Sequence, residues 1–113
     1  MAALTKQALR NRVLEHLGVK SAAQPATAED AILVDEAVDS AHARLRKLGL
    51  APFDTAAIPE WAQIPLRDYV AGDVARSFGL GDAFKAGQAA AEYELGRQVS
   101  GARSTRPIRG DYF

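Results

Sequence analysis

Apolar residues recur along this chain at helical spacing, and no stretch sustains the alternation of a half-buried strand. Leu9, Val13, Leu14 and Leu17 follow an i, i+4, i+5, i+8 stripe. Thr5 stands before the stripe as a side-chain acceptor for the first free N–H groups. Gly18 follows it, where a left-handed residue ends a helix without a Cβ penalty. The pattern predicts a first helix N-capped by Thr5 and running to about Leu17.

Residues 19 to 26 read as a loop. "TAED" then opens a second helix, with Thr27 placed to accept from the N–H of Asp30 and with Glu29 and Asp30 at the positive end of the helix dipole. Its expected buried stripe is Ile32 or Ala31, Val34, Ala37 or Val38, Ala41, Leu45 and Leu48. Arg44, Arg46 and Lys47 crowd its last turn before Gly49. Residues 49 to 59 contain two prolines and form a connector, tacked to the core by Leu50, Phe53 and Ile58. In "EWAQIPLRDYVAGDVARSF" the awkward residue is Pro65, which lacks an N–H and crowds the preceding turn. A short turn over 59 to 64 and a helix starting near Pro65 is the favoured reading, with one kinked helix as the alternative. Leu66, Tyr69, Val70, Val74 and Phe78 line one side. After "GLGD" a fourth helix is expected, capped by Asp82 and ended by Gly101. Phe84, Ala91, Leu95 and Val99 supply its contacts, and its small residues leave room for close helix approach.

The expected fold is therefore all-α, a small bundle of about four helices over residues 1–100, with an extended C-terminal arm over residues 101–113. Length bounds the chain to one such domain. Composition is ordinary for a globular protein, with 48% apolar and 25% charged residues. The N-terminal stretch mixes charged and apolar residues and has no continuous apolar run, which predicts a soluble chain with neither a signal peptide nor a membrane span. Cysteine is absent, which removes disulfides, thiol nucleophiles and cysteine-ligated metals from consideration.

Charge changes the picture by its distribution. Residues 1–49 carry seven basic and six acidic side chains, residues 50–100 four and seven, and residues 101–113 three and one. The folded part thus has no clearly basic region of the kind that drives duplex binding through counterion release.

Candidate chemistry is thin. His42 with Asp39 one turn earlier supplies at most two metal ligands, so neither metal nor cofactor is expected. Glu29 with Asp30, Asp35 with Glu36, and Glu92 with Glu94 sit too close in sequence to converge on a helix as an acid and base. The serines lack a nucleophile's strand–turn–helix setting. "GLGDAF" follows a helix rather than a strand, and reads as a turn. "RGD" at Arg109–Asp111 is a short chance match without context. The reading is of a non-enzyme. Trp61 is read first as a lid over one end of the bundle, and second as an interface anchor.

Function then falls to the arm. Arg103, Arg106 and Arg109 are spaced three apart, and Ile108, Tyr112 and Phe113 follow or interleave with them. Extended, residues 101–113 reach about 43 Å at 3.3 Å per residue. Guanidiniums pair with carboxylates in bidentate fashion and aromatics fill pockets, so the arm reads first as a docking segment and second as a frayed terminus.

Together, "TKQALRNRVLEHLGVKS", "DAILVDEAVDSAHARLRKLGL", a Pro/Trp connector, "PLRDYVAGDVARSFGL", "AAAEYELGRQV" and the basic arm resemble the head-to-tail adaptors of tailed bacteriophages. These are also called connector, neck, head completion or packaged-DNA-stabilisation proteins. The resemblance implies a structural protein of viral assembly and DNA packaging, located in the virion and in the host cytoplasm before assembly. It implies self-association into a ring, typically a dodecamer of twelve copies, beneath the portal protein. It further implies arms along the portal, a docking surface for a tail, nozzle or stopper component, and a channel enclosing DNA without sequence-specific binding. The portal-binding residues would be Arg103, Arg106, Ile108, Arg109, Tyr112 and Phe113. An acidic excess over residues 50–100 suits a channel wall that does not grip DNA. The alternative is a small helical nucleic-acid-binding regulator, with the second and third helices as a helix-turn-helix. Its connector is long for that motif, which joins its helices by three or four residues.

Overall fold

The computed structural model describes residues 3–21 and 23–104, with side chains described as far as residue 101. It contains four α-helices and no strand among the described residues. They are α1 (Lys6–His16), α2 (Ala28–Lys47), α3 (Glu60–Val74) and α4 (Lys85–Ser104), with a 3-10 turn over Ala75–Phe78 between the last two.

Both threonine caps form. Thr5 Oγ1 accepts from Ala8 N at 3.2 Å, and Thr27 Oγ1 accepts from Asp30 N at 3.2 Å. Gly18 and Gly49 follow α1 and α2 at φ of 78° and 76°, a left-handed geometry that glycine adopts without strain.

Helix α3 occupies the centre, and nine of its fifteen residues are buried. Leu9, Val13 and Leu14 of α1 share its core with Val34, Val38, Ala41 and Leu45 of α2. Helices α1, α2 and α3 pack on one another, whereas α4 has α3 as its helical neighbour. The connector is tied down as expected: Ile58 is fully buried, and it exchanges backbone hydrogen bonds with Leu4 at 2.8 and 3.0 Å.

Four local expectations are corrected. Helix α3 starts at Glu60 and runs through Pro65, because packing holds the turn that proline cannot bond. Ala62, Gln63 and Pro65 are all buried there, and Gln63 Nε2 donates to Ile58 O at 3.2 Å. The missing Pro65 N–H removes a single intrahelical bond, the one to Trp61 O. Asp82 does not cap α4. Its carboxylate takes Arg76 at 2.8 Å instead, and a turn around Gly81 delays the helix to Lys85. Gly101 lies inside α4, which continues to Ser104. Finally, Ile32 and Leu48 are 58% and 57% exposed rather than buried. Ile32 is two residues before Val34, which at 100° per residue turns it away from the core.

The small-residue run behaves unexpectedly as well. Ala86, Gly87, Ala89 and Ala90 face outward, and Ala91 alone of the run is buried. Close approach of α3 and α4 is achieved by Gly72, where an added Cβ would lie 2.5 Å from Gln88 Cβ.

Candidate functional site

Of the arm, Arg103 lies in the last turn of α4 by its backbone. Arg106, Ile108, Arg109, Tyr112 and Phe113 lie outside the described residues. The structure therefore moves the start of any arm from residue 101 to beyond Ser104.

Trp61 begins α3 half-buried, edge-on to Phe53 with ring centroids 5.7 Å apart. Phe53 in turn sits 5.5 Å from the His42 ring. Trp61 thus packs on the connector where Phe53 meets His42 of α2. The aliphatic beside it, Ile64, points outward and is 58% exposed.

The histidines are engaged locally. His42 Nε2 lies 2.6 Å from Phe53 O, so that nitrogen carries the proton and donates, while Asp39 holds Lys6 at 2.8 Å. The pair does not converge, and no group of three or more metal-capable side chains occurs among the described residues. His16 Nε2 lies 3.4 Å from Asp68 and its ring meets Phe84 edge-on. The neighbouring acids diverge too: Asp35 pairs with Arg10, and Glu94 holds Arg97 and Gln98.

Where α2, α3 and α4 meet, a depression of about 390 Å³ is lined by Arg44, Tyr69, Asp73, Lys85, Gln88 and Glu92. Its polar groups face one another. Arg44 donates to Tyr69 Oη at 3.0 Å and pairs with Asp73. Gln88 Nε2 donates to Tyr69 O at 3.1 Å and to Asp73 Oδ1 at 2.7 Å. Partial burial pulls the Arg44 pKa down, but the bond to Tyr69 and the charge of Asp73 outweigh it and leave the guanidinium above its ordinary value. This corner is a clasp between helices, with Arg44 and Asp73 already paired.

Two other faces are less satisfied internally. Between α1 and α3, Arg12, Glu15, His16, Ile64 and Arg67 line a groove of about 440 Å³. Glu15 is held by Lys20, and Arg67 by the adjacent Asp68 at 2.8 Å. Arg12 has only the Gln63 amide oxygen, at 3.4 Å, and no carboxylate among the described residues. On the outer side of α2, Ile32 sits between Glu29 and Glu36, and neither acid forms an ion pair among the described residues. Sequence reasoning offers Ile32 or Ala31 to the core and passes over Arg12. The helical wheel of α2 carries the signal for the first, since positions 29, 32 and 36 lie opposite 34, 38, 41 and 45.

Searches against family models, curated proteins and solved structures give no match to the chain. Among the described residues no helix is long and apolar enough to cross a membrane.

Proposed function

We propose that this chain is a structural assembly protein, a head-to-tail adaptor of a tailed bacteriophage that forms a ring beneath the portal and docks the tail. The reading rests on the resemblance in element order and residue flavour. The observation that carries it furthest is the course of α4. Among the described residues that helix has α3 as its one helical neighbour, passes through Gly101 and runs to Ser104, before the arginine-rich segment of the sequence. A helix projecting a basic, aromatic-tipped segment suits contact with a larger assembly. The clasp of Arg44, Tyr69, Asp73 and Gln88 supports the same reading, since it fixes the helix from which the arm departs.

The regulator alternative needs a basic recognition face. In α3 and the turn after it, Arg67 and Arg76 are engaged by Asp68 and Asp82. The acidic excess of residues 50–100 is likewise largely engaged: Asp68, Asp73, Asp82 and Glu94 each hold a cation. A DNA-repelling wall would therefore rest on Asp54, Glu60 and Glu92.

The test is co-expression with a candidate portal protein, followed by imaging. A second ring is expected under the portal, and deletion of residues 105–113 should abolish it while leaving the helical circular dichroism unchanged. Portal complexes without a second ring, or undiminished binding by the truncated chain, would overturn the ring or the arm respectively.

A further inference from the structure

Two faces of the chain, each centred on one exposed isoleucine, oppose each other in charge, the acid that lines the second, Glu15, being held by Lys20. On α2, Glu29, Ile32 and Glu36 lie within one face and span about 10 Å at 1.5 Å per residue. An aliphatic side chain, 58% exposed, stands between two acids that have no ion-pair partner among the described residues. In the groove between α1 and α3, an equally exposed Ile64 lies with Arg12 and Arg67. Arg12 has no carboxylate partner among the described residues, and Arg67 uses Nε and Nη2 on Asp68, leaving its other N–H groups to donate elsewhere.

We infer that the acidic strip of α2 in one copy of this chain docks in the arginine groove between α1 and α3 of the next copy. Intramolecular pairing is impossible. The buried stripe of α2 faces α1 and α3, so its outer face points away from the groove they form. The favoured partner is a second copy, because the two surfaces match in charge and each offers one exposed isoleucine as an apolar centre. Since the faces are unlike, a joined pair of copies retains one free strip and one free groove. That makes the contact heterologous, able to close into a ring if its rotation closes. The contact deepens the adaptor reading by naming the subunit interface, and for ring closure it rests on that reading.

Two variants separate the faces. Arg12→Glu with Ile64→Glu spoils the groove and leaves the Arg67–Asp68 pair intact, and Ile32→Lys with Glu36→Lys spoils the strip. All four positions are at the surface, and circular dichroism checks that both variants fold. NMR spectra at about 1 mM detect even a contact of Kd near 1 mM. The wild-type chain should show concentration-dependent shifts at residues 12, 16, 64 and 67. Each variant alone should bind itself about tenfold more weakly or worse, because like charges then face each other. Mixed, the two should form at least a 1:1 complex through the untouched strip of the groove variant and the untouched groove of the strip variant. Larger species are allowed, because the two altered faces are again opposite in charge. Absence of wild-type shifts would overturn the inference. So would undiminished self-association of the groove variant, which would instead mark antiparallel α2 pairing through Arg46 and Lys47. If the 1:1 complex forms but no ring appears on portal, the adaptor reading falls and the contact stands. If the groove variant still builds a normal ring on portal, the contact falls and the reading stands.

Discussion

At the scale of single residues, Gly72 shows how one missing Cβ sets a helix contact. Its neighbours are not a flexible side-chain tip alone: an added Cβ would meet Gln88 Cβ at 2.5 Å as well as Cδ at 2.8 Å. Gly72→Ala would gain about 1 kcal/mol of helix propensity, yet overpacking costs about 1–3 kcal/mol. The expected net effect is a loss of about 1 kcal/mol, read from the urea midpoint. In a Gln88→Ala background the loss should shrink only partly, because alanine at that position keeps the offending Cβ. Asp82 illustrates a different residue-scale effect. The hydrogen bond from Arg76, then its charge, hold the Asp82 pKa below its ordinary value. A depressed carboxylate favours the folded state above its unfolded pKa and loses that effect as pH falls through its folded pKa. Arg76→Ala should return the Asp82 titration midpoint, followed by NMR, to near 3.8. An unmoved midpoint would mean the pair does not form in solution. Sequence reasoning can see Asp82 as a helix cap because aspartate favours that position. It cannot see that a 3-10 turn brings Arg76 within 2.8 Å first.

Among elements, the first two helices are readable to within a residue, since threonine cap, apolar stripe and terminal glycine agree for each. The third is misjudged at Pro65, where local propensity and tertiary packing disagree. Proline inside a helix costs about 3 kcal/mol relative to alanine. Here the penalty is offset by a turn whose Ala62, Gln63 and Pro65 are buried and whose Gln63 bonds to Ile58 O. None of those contacts is local enough to read from a window of residues. Pro65→Ala should restore the bond to Trp61 O, at the expense of part of the buried ring and of unfolded-chain rigidity worth about 0.4–1 kcal/mol. The expected outcome is a helix of unchanged length and a gain in stability of about 1 kcal/mol. A loss on chemical denaturation would show that the ring's packing dominates. The arm residues Arg106 to Phe113 stay as the sequence left them, a pattern whose meaning depends on a partner.

Across the whole molecule, the asymmetry of α4 has the largest consequence. Three helices pack on one another, while α4 meets α3, adds Ala91 and Leu95 to the shared core and turns most of its other small residues outward. It joins the remainder through a turn containing Gly79 and Gly81 at positive φ. Its polar attachment is concentrated in Gln88, which donates to Tyr69 O and to the Asp73 carboxylate. With three buried apolar residues over a length of twenty and a single helical neighbour, α4 is the element expected to open before the rest. Native-state hydrogen exchange should show amides of α4 opening at lower free energy than those of α3. Gln88→Ala removes two hydrogen bonds, one of them to a charged acceptor, which are together worth about 2 kcal/mol. That variant should lower the opening free energy of α4 by this amount while the best-protected amides of α1 and α2 shift less. A uniform drop across all four helices would show a single cooperative unit. The difference bears on function, because a helix that opens alone could reposition the arm on a partner without unfolding the surfaces proposed to join one copy to the next.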